Sequence, residues 1–283
     1  MNDRISKCLS CEGANFKFYS YNKSLKLPMY ICQDCNLYVT GESSSEIEAL
    51  VSNYYDRNFW DNARKGGLSD DYSDSYSRGR FRLWSSQFKY CINHIKKESR
   101  ILEIGSGHGE AIRQFDLLGY QVIGIEPDKK NVENIRKDLK HSTIINDKAE
   151  TFQLKSEFDL IWMSHVFEHL TSPIEFLQRI RKNLKVGGII FIEVPNVEKK
   201  NDHRTFTNIP HAYNYSKLSL MNIVKKSNYK IIRCDCIKSP MKYQGMINKI
   251  YNKIFNKDFY PYYPRLIGNT ESGEDIRILA MRD

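Results

Sequence analysis

The chain has 283 residues, a formal net charge of +9 and a 41% hydrophobic fraction, which is enough for one α/β core of ordinary size plus an accessory unit without disulfide staples. Its polar opening residues, and the lack of any run of about 18 apolar residues, predict neither a signal peptide nor a membrane span, and hence a cytoplasmic protein. The positive balance favours acidic partners such as nucleic acid, anionic glycan precursors, nucleotide sugars or membrane surfaces, without choosing among them.

Seven cysteines, an odd number with no export signal, predict reduced thiols. Four of them form two knuckles, Cys8-Leu-Ser-Cys11 and Cys32-Gln-Asp-Cys35, separated by twenty residues. Tight turns at this spacing present four thiolates to one tetrahedral zinc ion, with Phe16–Tyr21 and Leu27–Ile31 supplying a hairpin between them. A ribbon so small buries little surface, and zinc binding worth roughly 10–16 kcal/mol would hold it together. The expected zinc is structural, with paired-dithiol redox chemistry as the alternative. Cys91, Cys234 and Cys236 lie among apolar residues and read as core positions.

The N-terminal module is thus assigned to residues 1–41 and a connector or lid to 42–83. From Glu42 to about Arg82 the chain is rich in Ser, Asp, Tyr and Gly, and Gly66-Gly67 and Asp70–Tyr76 interrupt any regular pattern. Tyr54, Tyr55, Trp60, Tyr76, Arg78 and Arg80 serve there either in a lid or in packing on the domain surface. Trp84, Phe88, Cys91, Ile92 and Ile95 recur at helical spacing and open a main domain over 84–283.

Residues 100–109 read as a buried strand running into the turn Gly105-Ser106-Gly107-His108-Gly109, and 110–118 as a helix. The next apolar run, Gln121–Ile125, ends in Glu126, twenty-one residues after Gly105, where a parallel strand delivers a carboxylate to ribose hydroxyls. Each such bond to a charged group is worth about 1.5–3 kcal/mol. A nicotinamide dinucleotide would suit the same outline. The G-x-G-x-G spacing and Glu103, two residues ahead of the turn, favour S-adenosylmethionine, because a carboxylate there repels a pyrophosphate but suits ammonium and sulfonium charges. The alternative for Glu103 is a surface carboxylate at a strand end.

Phe158–Met163 reads as a buried parallel strand, and Ser164–Leu170 follows its carboxyl end, where open α/β sheets bind ligands. His165, Glu168 and His169 can deprotonate a hydroxyl or amine, or relay the proton of a carbon acid. Bland roles remain open: Glu168 as cap of the helix continuing through Thr171-Ser-Pro173, and His165 as a backbone hydrogen-bonding group. A metal held by His165 and His169 lacks an obvious third ligand. Beyond the strand Gly188–Val194, Lys199, Lys200, Arg204 and Phe206 can line an entrance for an anionic substrate. Ser216 is a candidate N-cap of the next helix, and Tyr229–Cys236 is a further strand. An insertion over about 239–274 either shapes acceptor choice or covers a sheet edge.

Four segments together resemble the class I methyltransferase family: Glu103-Ile-Gly105-Ser-Gly107-His-Gly109, Gly124-Ile-Glu126-Pro127-Asp128, Phe158–Leu170, and Leu184-Lys-Val-Gly187-Gly188. The resemblance covers roughly residues 84–238, and the cysteine module adds a match to the branch with an N-terminal zinc ribbon. It implies a Rossmann-like α/β sheet, mostly parallel with an antiparallel last strand at Ile276–Met281, that binds S-adenosylmethionine. Gly105, Ser106, Gly107, His108 and Gly109 would cradle the methionine portion, with Glu126 and Pro127 at the ribose and Ser164 at the strand end completing the set. Asp147, Ala149 and Glu150 match the adenine-binding place. Lys148, standing where an aspartate is common, leaves the base-reading group open. The resemblance also makes His211 a candidate base or substrate contact, with Tyr213 beside it. It implies methyl transfer to an O, N or C acceptor, small molecule or nucleotide sugar, with cell-envelope polysaccharide precursors as the family-level expectation. Rival readings are an RNA methyltransferase and a non-catalytic zinc-ribbon binding protein.

Overall fold

The computed structural model describes residues 4–57, 75–198, 207, 209–238, 265–266 and 273–283. Trp60, Gly66, Gly67, Lys199, Lys200, Arg204, Phe206 and most of the stretch 239–274 lie outside the described residues. Among the described residues no helix is long and apolar enough to cross a membrane.

Strands β4 (Arg100–Ile104), β5 (Gln121–Glu126), β6 (Thr143–Asn146), β7 (Phe158–Ser164), β8 (Leu184–Pro195), β10 (Lys230–Lys238), β11 (Arg265–Leu266) and β12 (Asp275–Met281) form one sheet. Its order is β11-β10-β12-β8-β7-β4-β5-β6. From β8 to β6 every pairing is parallel, while β12 is antiparallel to both β8 and β10. The central strands are buried on both faces, as parallel strands between helical layers must be. Side chains alternate accordingly: Leu102, Ile104, Ile161, Met163, Ile190 and Ile192 join one apolar cluster, and Ile101, Leu160, Trp162, Ile189 and Phe191 the other. The chain leaves β4 for β5 on one side and returns to β7 on the other, so the crevice at their carboxyl ends is the switch point where such sheets bind ligands.

The connector expected over 42–83 contains one helix, Ser44–Arg57, and the first part of another, Ser75–Cys91. The first is held by Ile47 and Val51, both buried in the cluster that includes Leu25, Leu27 and Leu37; the surrounding Ser, Asp and Tyr hid this apolar face. The second starts nine residues ahead of Trp84. Ser216 does cap its helix, in a reciprocal pair with Ser219. Glu168 caps none: Ser172 holds that position, with Pro173 entering the helix Pro173–Ile180. Cys91 and Cys236 are buried and Cys234 is half-buried.

A second, antiparallel sheet comprises β1 (Phe16–Asn22), β2 (Leu27–Cys32), β3 (Tyr38–Thr40) and β9 (Tyr213–Asn214), in the order β1-β2-β3-β9. Its last strand comes from the main domain, with Val39 opposite Tyr213. The N-terminal module is stitched to that segment by further bonds. Arg4 donates to Ala212 O at 2.9 Å and lies over the Tyr213 ring. Ser216 Oγ donates to Cys35 O at 2.7 Å, and Ser10 Oγ to Ser219 O at 3.1 Å.

Candidate active site

The glycine turn folds back over β5: the N–H groups of Gly105 and Ser106 both donate to Ile125 O, at 2.8 and 3.1 Å. Gly105 sits at φ +72°, and a Cβ there would collide with Val166 Cγ2. The turn and the loop after β7 are therefore in van der Waals contact, which only glycine permits. Glu126 is buried at the end of β5; its Oε2 accepts from Gly107 N–H at 2.7 Å and its Oε1 from Asp128 N–H at 3.0 Å. The carboxylate thus ties the glycine turn to the residues that follow β5. Glu103, 4% exposed, is no surface carboxylate. Burial pushes its pKa up to about 8 against the pull of neighbouring Ser106. Glu103 Oε2 and Ser106 Oγ have no hydrogen-bond partner among the described residues. A buried acceptor of this kind calls for a donor or a cation, and an ammonium group fits it.

At the far end of the crevice, the Asn146 amide donates to the carbonyls of Glu126 and Pro127, at 3.0 and 2.7 Å. Asp147 Oδ1 accepts from Lys148 N–H and Thr151 Oγ1 at 2.8 and 2.7 Å, so it shapes the turn that presents Ala149 and Glu150. Arg179 pins that turn through the carbonyls of Ala149 and Phe152. Burial raises the pKa of Glu150.

Beyond β7 four further candidates converge. His165 is held at φ +55°, a conformation uncommon for a non-glycine residue, with its N–H donating to Glu193 O at 2.9 Å. Its ring stands between Glu168 Oε1, 3.6 Å from Nδ1, and Glu193 Oε1, 3.5 Å from Nε2. Burial lowers the His165 pKa, but the two carboxylates outweigh it and hold it well above the usual value. His165 is therefore an imidazolium at neutral pH. Burial pulls Glu168 upward, and its histidine neighbours reverse this to about 2. His169 Nε2 and His211 Nε2 face Glu168 Oε1 at 4.0 and 3.9 Å, with ring centroids 4.7 Å apart. Burial lowers His169 to about 3 and depresses His211 as well, so both imidazoles are neutral acceptors. His211 Nδ1 donates to Asn214 Oδ1 at 2.7 Å, which fixes the tautomer and leaves Nε2 toward Glu168.

Several members of this arrangement were not expected. Gln87 Nε2 donates both to Ser164 Oγ at 2.7 Å and to Glu193 Oε1 at 2.6 Å. Glu193, fully buried, also accepts from Arg277 Nε, while Arg277 Nη1 donates to Ser86 Oγ at 2.6 Å. Asp275 stands with His165 and Glu193, and burial raises it to about 7. One signal was available: Glu193 interrupts the apolar run Gly188–Val194, and a carboxylate in a buried strand must have a partner. Gln87, Asn214, Asp275 and Arg277 carried no comparable mark.

The four knuckle cysteines also meet, with Cys8 and Cys35 Sγ 3.6 Å apart and Cys11 and Cys32 Sγ 3.5 Å apart. All four sulfurs lie within 4.8 Å of one another.

A ubiquinone biosynthesis O-methyltransferase of Rhodopseudomonas palustris (strain BisA53) is 31% identical over 101 residues, 34% of this chain and 40% of that protein. A protein of the same name from Pelagibacter ubique (strain HTCC1062) is 31% identical over 109 residues, 37% of this chain and 45% of that one. The chain thus spans less than half the length of these relatives. A SAM-dependent methyltransferase structure from Archaeoglobus fulgidus superposes with a TM-score of 0.53 at 18% identity, covering 74% of this chain and 100% of that one. Another, from Thermotoga maritima, gives 0.52 at 20%, covering 76% and 97%; both show a shared fold. Residues 76–233 match the family described as methyltransferase domain, and the chain belongs to that family, with this region as its S-adenosylmethionine-dependent methyltransferase domain.

Proposed function

We propose that the protein methylates a hydroxyl oxygen of a small-molecule or sugar acceptor, a nucleotide sugar of the cell envelope being the class to try first. The observation that supports this is the convergence of His169, His211 and Glu168 beside the glycine turn, where Val166 contacts Gly105. When bound, S-adenosylmethionine supplies an activated methyl group. Glu103 and Ser106 would hold its ammonium end, Gly107–Gly109 its methionine backbone, Glu126 and Pro127 its ribose, Ala149 and Glu150 its base, and Ser164 the floor between cofactor and acceptor. Glu168, His169 and His211 present only acceptor atoms to the hydroxyl, so they can orient it and accept its proton. Imidazolium His165 keeps Glu168 ionised and serves as a positioning residue. The O-methyltransferase names of the relatives favour oxygen over nitrogen or carbon.

The converging thiolates of Cys8, Cys11, Cys32 and Cys35 fit a closed structural zinc site. Such a site would brace β3, and through it β9 and His211. One zinc per chain, lost in Cys32→Ser, is the expected metal analysis; metal-free protein with unchanged melting would refute it.

The functional test has two stages. Calorimetric titration should show micromolar or tighter binding of S-adenosylmethionine and S-adenosylhomocysteine. Release of S-adenosylhomocysteine is then measured across a panel of nucleotide sugars and phenols. Turnover with a hydroxyl acceptor, cut at least tenfold by His211→Ala, supports the reading. Methylation confined to RNA or to amines overturns it.

A further inference from the structure

Glu168, His169 and His211 show a mismatch that acid–base chemistry alone leaves unresolved. The Glu168 carboxylate is 1% exposed, and its Oε2 has no hydrogen-bond partner among the described residues. Its Oε1 faces three imidazole nitrogens at 3.6, 3.9 and 4.0 Å, all longer than a hydrogen bond. His211 brings no proton to that gap, because its Nδ1–H is committed to Asn214 Oδ1. His169 Nδ1 lies 3.5 Å from Pro210 O, the same outward orientation. Two imidazole Nε2 atoms and a carboxylate thus point inward, their backs held by an amide oxygen and a backbone carbonyl. This is how metal-ligating histidines are normally supported from behind.

The spacing suits an ion. Separations of 3.9 and 4.0 Å are too long for direct hydrogen bonds, yet lie within the span of two coordinate bonds of about 2.0–2.2 Å each. One donor atom from each residue lies within 4.8 Å of the others. Glu193 is not available as a rival, being engaged by Gln87 and Arg277. The open side is toward His165 and His169, whose side chains are 33% and 18% exposed, against 2% for Glu168 and 4% for His211.

We propose that Glu168, His169 and His211 form a divalent-metal site, for a first-row transition ion such as Mn2+ or Co2+, with open coordination positions facing the acceptor pocket. Imidazole and carboxylate together select these ions over the all-oxygen preference of Mg2+. That the ion meets the acceptor oxygen rests on the methyl-transfer reading; the metal site itself does not. With an ion bound, these three residues would serve as its ligands rather than as proton acceptors, and the ion would polarise the hydroxyl so that its proton passes to water.

The test is a binding measurement on the full chain. Mn2+ titration followed by electron paramagnetic resonance should give one tight site per chain. Co2+ added to protein that holds one zinc per chain, at the cysteines, should give weak d–d bands without the intense thiolate charge-transfer bands of a cysteine site. Glu168→Gln and His211→Ala should each weaken Mn2+ binding at least about tenfold, with S-adenosylhomocysteine affinity within about twofold of wild type. His169→Ala, at the open rim, should do the same and guards against misfolding of the buried variants. Absence of Mn2+ and Co2+ binding outside the cysteine site overturns the proposal, and so does binding that all three variants retain. Metal bound without turnover of any hydroxyl acceptor would instead overturn the functional reading and leave the site standing.

Discussion

The two halves of the crevice are built in different ways. The proposed cofactor half comes mainly from one continuous stretch, β4, the glycine turn and β5, whose groups bind one another: Gly107 N–H to Glu126, Gly105 N–H to Ile125. The proposed acceptor half draws on five separated segments: the helix Ser75–Cys91 for Gln87, the loop after β7 for His165 to His169, β8 for Glu193, β9 with the two residues before it for His211 and Asn214, and β12 for Asp275 and Arg277. The first depends on local backbone geometry. The second depends on whole-chain packing and on buried charge pairs, and damage far along the sequence should reach it.

The largest expected effect tests that dependence. Arg277→Met strands Glu193, which is fully buried, and losing one partner of a buried pair costs about 3–5 kcal/mol. Urea denaturation should show this loss, and the double variant Arg277→Met with Glu193→Gln should recover part of it. A single variant as stable as wild type would mean that the acceptor half does not lean on this pair.

Glu126→Ala probes the other half. It removes the acceptor for the Gly107 and Asp128 N–H groups along with the proposed ribose contacts, and should weaken S-adenosylhomocysteine binding by roughly tenfold or more. An unchanged dissociation constant would refute the ribose assignment.

Glu103 gives the cofactor half a pH signature. Its carboxyl, ordinarily at 4.5, is raised by burial to about 8, so the unliganded protein carries it protonated at pH 6. An ammonium ligand binds the ionised form, a proton must leave, and affinity rises with pH. Between pH 6 and 7.5, below the α-amino titration at about 7.7–8.0, affinity should increase about tenfold, and Glu103→Gln should flatten the profile. The same shift means that unliganded stability falls as pH rises from 4.5 toward 8. A flat wild-type profile would show that Glu103 does not pair with the ammonium.

The smallest effect sharpens the contrast. Asn214→Ala leaves His211 Nδ1 without its acceptor, a hydrogen bond worth about 0.5–1.5 kcal/mol. Turnover should drop roughly two- to tenfold with cofactor affinity unmoved. If cofactor affinity falls too, the two halves are not separable.

Legibility in the sequence followed this division. The glycine turn, Glu126 and the strands at 121–126 and 158–164 were readable because short continuous apolar runs and glycine spacing are local signals. The helix Ser44–Arg57 was not, since Ile47, Leu50 and Val51 form a short apolar face among polar residues. The two-residue strand Tyr213–Asn214 was not, because its ladder partner lies in the N-terminal module. His165, Glu168, His169 and His211 could be named as candidates, but their charge states could not.

By itself the sequence determined a parallel α/β sheet, a glycine turn with a distal carboxylate, and two cysteine knuckles, all encoded within a few turns of backbone. Only the tertiary structure decided that Glu103 is a buried acid, that His165 is an imidazolium between two carboxylates, and that His169 and His211 converge on Glu168. These are facts of burial and of neighbours distant in the chain, and the cost of desolvating a charge depends on both.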